Sequence, residues 1–228
     1  MMVEIYAIRI DAPIEKETYN QFPSFVSEEK RDRIKRFRFI EDAKRTLYGE
    51  LLVRYLAYDR LKTANSELVI DCNEFGKPFL RGYPNFHFNI SHSGDWVVCA
   101  VGEKEVGVDI EQIKSIDLDI AKRFFSKTEY NMLMSQPKDL KTDYFYSLWT
   151  LKESYIKYIG KGLSTPLNSF SIIIDKQAIN VLSNNIPKIY FSQIPIDHEY
   201  KLSVCSESKL SNSKINLIDI KNIKEVLL

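Results

Sequence analysis

The sequence predicts an α+β fold built from antiparallel sheets. Helical and strand-like hydrophobic periodicities follow one another in blocks, without the regular strand–helix–strand alternation of a parallel sheet. The 228 residues are 44% hydrophobic and 28% charged, which is typical of a globular protein and excludes a disordered chain. No fixed-period repeat and no linker rich in Pro, Gly or Ser divides the sequence.

The first elements are a strand and two helices. Apolar residues occupy both faces of Met2–Ile10, which predicts a strand in the middle of a sheet. Ser27, with acidic residues directly after it, has the pattern of a helix N-cap. Apolar residues at three- and four-residue spacing predict a longer helix over Glu41–Leu61.

Strand patterns follow in the middle of the chain, at Glu67–Cys72, Phe86–Ile90, Trp96–Val101 and Glu105–Glu111. Turn-forming residues fill 73–78, and small residues predict a loop over 91–95. Only a short connection separates the last two strand patterns, so we expect them to pair as a hairpin.

The C-terminal half begins with two helical patterns, Ile120–Met134 and Thr142–Ile159, and Gly160 stands where a C-cap is expected. Three further strands are predicted at Phe170–Ile174, Lys188–Ile194 and Tyr200–Cys205. We expect the polar segment from 206 to 216 to be mobile.

Composition and charge exclude several functional classes. Lys and Arg number 32 against 31 acidic residues, so the net charge of +1 favours neither nucleic-acid nor membrane-surface binding. No apolar run approaches the ~20 residues of a membrane span, and the N-terminus lacks a secretory pattern. Three widely spaced cysteines without a CxxC motif predict a reducing, cytoplasmic environment.

The charges are nevertheless unevenly distributed. Residues 30–45 contain eight basic and three acidic side chains, whereas residues 103–119 contain six acidic and two basic ones. A basic and an acidic stretch in one chain suit a phosphate-rich ligand held together with a metal ion. The alternative is that both stretches are solvated surfaces.

Two carboxylates share one face of the strand pattern VGVDIE, residues 106–111. Because side chains alternate along a strand, Asp109 and Glu111 point to the side opposite Val106, Val108 and Ile110. Adjacent carboxylates repel unless a positive group lies between them, and Mg²⁺ completed by phosphate oxygens and water is such a group. Gly107, on the same face, is expected to leave room beside the site. Ordinary solvent-facing acids are the alternative.

The helix pattern around WTLKESYIK, residues 149–157, contributes two further candidate side chains. Glu153 and Lys157 lie one turn apart, whereas Lys152 falls within the apolar arc of the helix. A lysine directed to an apolar face needs a negative partner, for which we consider a bound phosphate or the acidic strand. A surface pair between Glu153 and Lys157 is the alternative.

Two loop patterns complete the candidate site. The segment from 91 to 95 offers hydroxyl groups, the His92 imidazole and backbone N–H groups to an anion. The turn FGKP, residues 75–78, contributes one cation and by itself indicates little.

Together these motifs resemble one known family. FGKP (75–78), FNISHSGDW (88–96), VGVDIE (106–111), FFSKTEY (124–130) and WTLKESYIKYIGKGL (149–163) occur in the order seen in 4′-phosphopantetheinyl transferases of the surfactin-synthetase-activating type. The segments 30–38 and 43–54 also fit, and the resemblance weakens after about residue 175.

The resemblance implies transfer of the phosphopantetheine arm of coenzyme A to a serine of an apo carrier protein, with adenosine 3′,5′-bisphosphate as the second product. It places Asp109, Glu111 and Glu153 around Mg²⁺ bound to the pyrophosphate. It also implies that seven residues contact the phosphates and ribose of coenzyme A: Lys30, Arg33, Thr46, Lys77, Ser91, His92 and Lys157. The turn formed by Phe75, Gly76, Lys77 and Pro78 is implied to lie beside the adenine. Glu153 is our choice of base for the serine proton, with Asp109 or a metal-bound water as alternatives.

The resemblance further implies two similar α+β halves related by pseudo-twofold symmetry, at residues 1–103 and 104–228, with the site between them. It implies a monomer whose partners are carrier domains of peptide, polyketide or fatty-acid synthases, which are acidic helical bundles. Two other classes stay open, a non-catalytic coenzyme A-binding regulator and a metal-dependent pyrophosphatase acting on nucleotides.

Overall fold

The computed structural model describes residues 2–175, 178–182 and 188–227. Its α-helices are α1 (Lys16–Gln21), α2 (Glu28–Lys35), α3 (Ile40–Leu61), α4 (Ile120–Phe124), α5 (Lys127–Met134), α6 (Lys141–Ile159) and α7 (Ile220–Leu227). The first strands are β1 (Val3–Arg9), β2 (Ile70–Cys72), β3 (Pro78–Leu80), β4 (His87–Ser93), β5 (Trp96–Gly102) and β6 (Val106–Gln112). The remaining strands are β7 (Ser171–Ile174), β8 (Ile179–Leu182), β9 (Tyr190–Gln193), β10 (Tyr200–Ser206) and β11 (Leu210–Leu217).

The first sheet has the strand order β11-β1-β5-β4, and α3 lies against it. β1 is central, as its apolar faces predict, and it pairs antiparallel with β5. Ile8 on one face joins the core beneath α3, whereas Val3 and Ile5 on the other face join a core shared with the second sheet. The predicted N-cap is confirmed, because the Ser27 side chain accepts a hydrogen bond from the Lys30 N–H.

The second sheet is antiparallel, with the order β6-β10-β9, and α6 lies across β6 and β10. α6 ends at Gly160 in the left-handed conformation (φ 72°), as the sequence predicts. One long helix therefore lies on a sheet in each half of the chain, α3 on the first sheet and α6 on the second. The first sheet is mixed, because β1 and β11 are parallel, and only the second is antiparallel throughout, as the sequence predicts. The predicted α+β class is confirmed.

The C-terminal segment corrects one expectation. The polar stretch expected to be mobile contains most of β11, which pairs in parallel with β1. α7 follows it and buries Ile220, Ile223 and Leu227 in the core beneath α3. A polar pattern is compatible with this strand because β11 is at the edge of its sheet, and polar side chains such as Lys214 and Asn216 are exposed there.

Strand pairing in the middle of the chain also differs from the prediction. β5 does not pair with β6, because β6 pairs with β10, and β5 instead forms a hairpin with β4. The expected loop over 91–95 is therefore mostly strand, and the turn is limited to Gly94 and Asp95, with Gly94 at φ 53°.

Two predicted elements are interrupted. The helix expected over 120–134 breaks into α4 and α5, because Ser126 and Glu129 form a capping box that starts a new helix. The strand expected over 67–72 is limited to β2, and Glu67 belongs to a 3₁₀ turn. The strand expected over 188–194 is β9, which is shorter.

Candidate active site

The two sheets meet where side chains of β4 bond to the backbone of β6. Asn89 Oδ1 accepts the Val108 N–H (2.9 Å), Ser91 Oγ accepts the Ile110 N–H (3.2 Å), and the Gln112 N–H donates to Ser93 Oγ (3.0 Å). Both strands use every second residue, so the pattern N-x-S-x-S matches the pleat of β6. These three side-chain hydrogen bonds, called the side-chain ladder below, fix the position of β6, which carries Asp109 and Glu111, relative to the first sheet.

Asp109 is at the centre of the site, with 3% of its surface exposed. Lys157 Nζ donates to Asp109 Oδ1 at 2.6 Å and to Ser91 Oγ at 2.8 Å. Ser91 Oγ in turn donates to Asp109 Oδ1 at 2.9 Å, and Ser93 Oγ donates to Glu111 Oε2 at 2.9 Å. Asp109 Oδ2 is buried and has no hydrogen-bond partner. The sequence did not predict this ion pair between Asp109 and Lys157, which leaves one oxygen of Asp109 without a partner.

The carboxylates of Asp109, Glu111 and Glu153 are buried or half-buried close to one another, which makes their charged forms less favourable. Burial, followed by the charge of Asp109, raises the pKa of Glu111 to about 7. Burial and Asp109 also raise the pKa of Glu153. Burial raises the pKa of Asp109 itself, and Lys157 only partly opposes this effect. A positive charge beside these groups would relieve this repulsion.

This carboxylate group fits a hard divalent cation in its donor chemistry. Asp109 Oδ2 has no partner and Glu111 is adjacent to it on the strand face, so both offer oxygen ligands. Within the described residues, no three His, Cys, Asp or Glu side chains form a group able to hold a metal ion. Mg²⁺ usually binds one or two carboxylates together with phosphate oxygens and water, which agrees with such a partial protein site.

A cavity of about 310 Å³ opens beside Glu153 and Lys157, between the 75–78 turn and α6, and Asp109 and Glu111 are not among its lining residues. Its lining comprises Phe75, Gly76, Lys77, Pro78, Asn89, Ile90, Glu153, Ile156, Lys157, Gly160 and Gly162. Asn73 builds the turn, because its side-chain oxygen accepts the N–H groups of Phe75 and Lys77 at 2.9 Å. Its amide donates to the Gly160 carbonyl, which attaches the turn to the end of α6.

The remaining predicted coenzyme residues only partly line this cavity. Lys30 and Arg33 line a second cavity of about 430 Å³, and Pro78 borders both cavities. Lys30 also forms an ion pair with the buried Glu50 at 3.2 Å. The Lys77 ammonium bonds to the Glu105 carboxylate and to the Tyr158 carbonyl at 3.0 Å. Three other predicted residues line neither cavity: Thr46 is half-buried on α3, Ser91 is buried on β4, and His92 is exposed on β4.

Two expectations about the site are wrong. Gly107 leaves no room, because a Cβ there would lie 2.0 Å from the Ser154 carbonyl oxygen; helix α6 packs directly on this glycine. Lys152 meets neither phosphate nor the acidic strand. It is fully buried, and its ammonium donates to both carboxylate oxygens of Glu129 (2.7 and 2.8 Å) and to the Phe170 carbonyl.

Sequence reasoning missed four residues that shape the site. Asn89 and Ser93 belong to the side-chain ladder, and Asn73 organises the turn. Glu105 accepts hydrogen bonds from Lys77. The alternation N-x-S-x-S opposite an acidic strand and the Asn at the start of a turn were the available signals.

Similar proteins were found by sequence and by structure. Residues 12–104 match the family described as 4′-phosphopantetheinyl transferase, N-terminal, and residues 105–205 match the 4′-phosphopantetheinyl transferase superfamily. The 4′-phosphopantetheinyl transferase Sfp of Bacillus subtilis is 46% identical over 206 residues, covering 90% of this chain and 92% of that protein. The chain belongs to the 4′-phosphopantetheinyl transferase family.

Other members of the family align over almost the whole chain. The 4′-phosphopantetheinyl transferase psf-1 of Bacillus pumilus is 39% identical and covers 97% of both chains. Among solved structures, a holo-(acyl-carrier-protein) synthase from Bacillus anthracis is similar, and the alignment covers 46% of this chain and 96% of the synthase chain. Its TM-score is 0.41 at 17% identity. Family membership rests on the sequence relatives. Within the described residues, no helix is long and apolar enough to cross a membrane.

Proposed function

We propose that this protein transfers the 4′-phosphopantetheine group of coenzyme A to a serine hydroxyl of an apo carrier protein. The observation that carries the proposal is the position of Asp109 and Lys157 beside a cavity lined by Glu153, in a chain of this family. Carrier domains of peptide, polyketide and fatty-acid synthases are the proposed substrates, and cytoplasm is the proposed compartment.

In the proposed reaction, the serine oxygen forms a bond to the phosphorus that carries the pantetheine arm. The bond from that phosphorus to the oxygen of adenosine 3′,5′-bisphosphate breaks, and the bisphosphate leaves with the electron pair. Glu153 is the proposed acceptor of the serine proton, because it lines the cavity and burial raises its pKa. Asp109 is the alternative acceptor.

Charge neutralisation and positioning are the main tasks of the protein in phosphoryl transfer. Lys157 is held between Asp109 and Ser91, so its ammonium is fixed at the edge of the cavity where a phosphate would bind. The proposed ligands of a Mg²⁺ ion are Asp109, Glu111 and Glu153, which do not form a preassembled three-carboxylate site among the described residues. When bound, the ion would stabilise negative charge on the phosphoryl oxygens.

The remaining coenzyme contacts are proposed in two groups. The turn formed by 75–78 would border the adenine, and Lys77 within it is already oriented by Glu105. Phosphate and ribose contacts are proposed for Lys30, Arg33, Thr46, Lys77, Ser91, His92 and Lys157. We also propose that the chain consists of two halves, at residues 1–103 and 104–228. We further propose that the protein is a monomer, and sedimentation at low micromolar concentration tests this oligomeric state. A dimer or trimer there would contradict the proposal.

The function is tested by incubating the protein with coenzyme A, Mg²⁺ and an apo carrier, and then measuring the intact mass of the carrier. We expect the mass of one phosphopantetheine group to be added, and none on a carrier whose acceptor serine is replaced by alanine. Coenzyme breakdown without carrier modification would indicate a pyrophosphatase. Coenzyme binding with neither reaction would indicate a regulator.

A further inference from the structure

An exposed arginine–aromatic surface lies between α2 and α3, formed by Arg36, Arg38, Phe39 and Ile40. Phe39 and Ile40 are 58% and 56% exposed, and both arginines are exposed beside them. The Arg38 guanidinium lies 5.3 Å from the centre of the Phe39 ring. Neither guanidinium forms an ion pair with a carboxylate of the described residues. The surface is therefore positive, partly apolar and without an ion-pair partner among the residues that the structure describes.

Stability of the helix does not explain this surface. Phe39 is the N-cap of α3 and supplies no side-chain hydrogen bond to the first turn, whereas Ser27 does so for α2. Ser, Thr, Asp or Asn would cap α3 better, and a smaller polar residue would expose less apolar area. Local choices that oppose stability are expected where a surface binds a partner.

The surface is connected to the candidate active site through helix α3. Arg45, on the second turn of α3, donates to the Gly94 carbonyl at 2.7 Å, in the turn between β4 and β5. That turn directly follows Ser93, whose hydroxyl bonds to Glu111. Ile40 begins the same helix, about 7.5 Å along its axis from Arg45 at 1.5 Å per residue. The helix that begins at this surface therefore contacts the turn beside the strand that carries Ser91 and Ser93.

We propose that the arginine–aromatic surface docks an acidic face of the apo carrier protein. This inference rests on the proposed function and extends it to the first half of the chain. Arginine and aromatic side chains are enriched at protein interfaces, and complementary charge speeds the formation of transient complexes. Two adjacent apolar side chains bury too little area for a membrane anchor, which needs a continuous apolar helix face.

The test uses steady-state kinetics of the full-length protein with an apo carrier. Charge reversal in Arg36→Glu/Arg38→Glu should raise KM for the carrier roughly tenfold at low salt, and less at high salt, because exposed charges are screened. The value of kcat at saturating carrier and KM for coenzyme A should stay unchanged. A matched control, Lys209→Glu/Lys221→Glu, reverses two exposed lysines of the C-terminal segment and should leave KM for the carrier unchanged.

A second variant separates docking from folding. Phe39→Ser removes the exposed ring and installs a better N-cap, so α3 should be retained. We expect KM for the carrier to rise roughly threefold, independently of salt, because the lost contact is apolar.

Four outcomes would overturn the proposal. An equal rise of KM for coenzyme A would place the arginines in the coenzyme pocket, and kinetics identical to the control would exclude docking here. Loss of binding to anionic lipid vesicles with unchanged carrier kinetics would assign the surface to a membrane. If the wild-type protein modified no carrier at all, the proposed function itself would be refuted, and this inference with it.

Discussion

The buried pair between Lys152 and Glu129 allows a quantitative test of how the second half is held together. Both side chains are completely buried, and three hydrogen bonds hold the Lys152 ammonium. Glu129 also accepts the N–H groups of Ser126 (2.8 Å) and Ile172 (2.7 Å). The pair therefore connects the start of α5, the middle of α6 and β7.

Lys152→Met keeps the volume of the side chain and leaves the Glu129 carboxylate buried without its cation. Loss of one partner of a buried ion pair costs about 3–5 kcal/mol, against the ~5–15 kcal/mol that stabilises a typical domain.

Urea denaturation at neutral pH measures the free energy of unfolding of the wild-type protein and the variant. Lys152→Met/Glu129→Gln, which removes both charges, should be less destabilised at neutral pH than Lys152→Met alone. Lys122→Met, which breaks an exposed pair with Asp119, is the control and should not change stability measurably. A cost for Lys152→Met no greater than that of the control, or additive losses in the double variant, would refute the assigned role.

Four further predictions concern the site and the carrier. Asp109→Ala should lower the transfer rate at least about a hundredfold with the fold intact by circular dichroism; normal turnover at saturating Mg²⁺ would contradict the metal assignment. Because the folded pKa of Glu111 is about 7, above its ordinary 4.5, metal-free protein should lose stability as the pH rises from about 5 to 8. Glu111→Gln should reduce that slope in denaturation experiments, whereas the raised pKa values of Asp109 and Glu153 maintain the remainder; an unchanged slope would reject the contribution of Glu111. Lys157→Ala should raise KM for coenzyme A or lower kcat, and unchanged kinetics would return this lysine to a surface role. Lys114→Glu/Lys122→Glu should raise KM for the carrier, most at low salt; an equal rise for both substrates would place docking elsewhere.

Local patterns predicted the elements whose signals lie within a few residues. The apolar faces of β1, the Ser27 cap and the Gly160 end of α6 are all confirmed. The alternation along β6 correctly placed Asp109 and Glu111 on one face, because the period of a strand does not depend on its partner.

These local patterns did not predict which strands pair with each other when they are far apart in the sequence. β6 pairs with β10, which begins almost ninety residues later, and β11 returns from the C-terminal end to β1. Burial of Lys152 was predicted from its apolar arc, but its partner Glu129 comes from another helix. Contacts of this kind depend on how distant segments of the chain pack together. The spacing of apolar residues within one segment carries no information about that packing.

The coupling of the two products tests the central claim most directly. The protein, coenzyme A and Mg²⁺ are incubated with and without an apo carrier, and adenosine 3′,5′-bisphosphate is measured together with carrier mass. We predict one molecule of bisphosphate for each carrier modified, and essentially none when the carrier is absent or lacks its acceptor serine. Bisphosphate released at the same rate without a carrier would contradict transfer to serine as the reaction of this site.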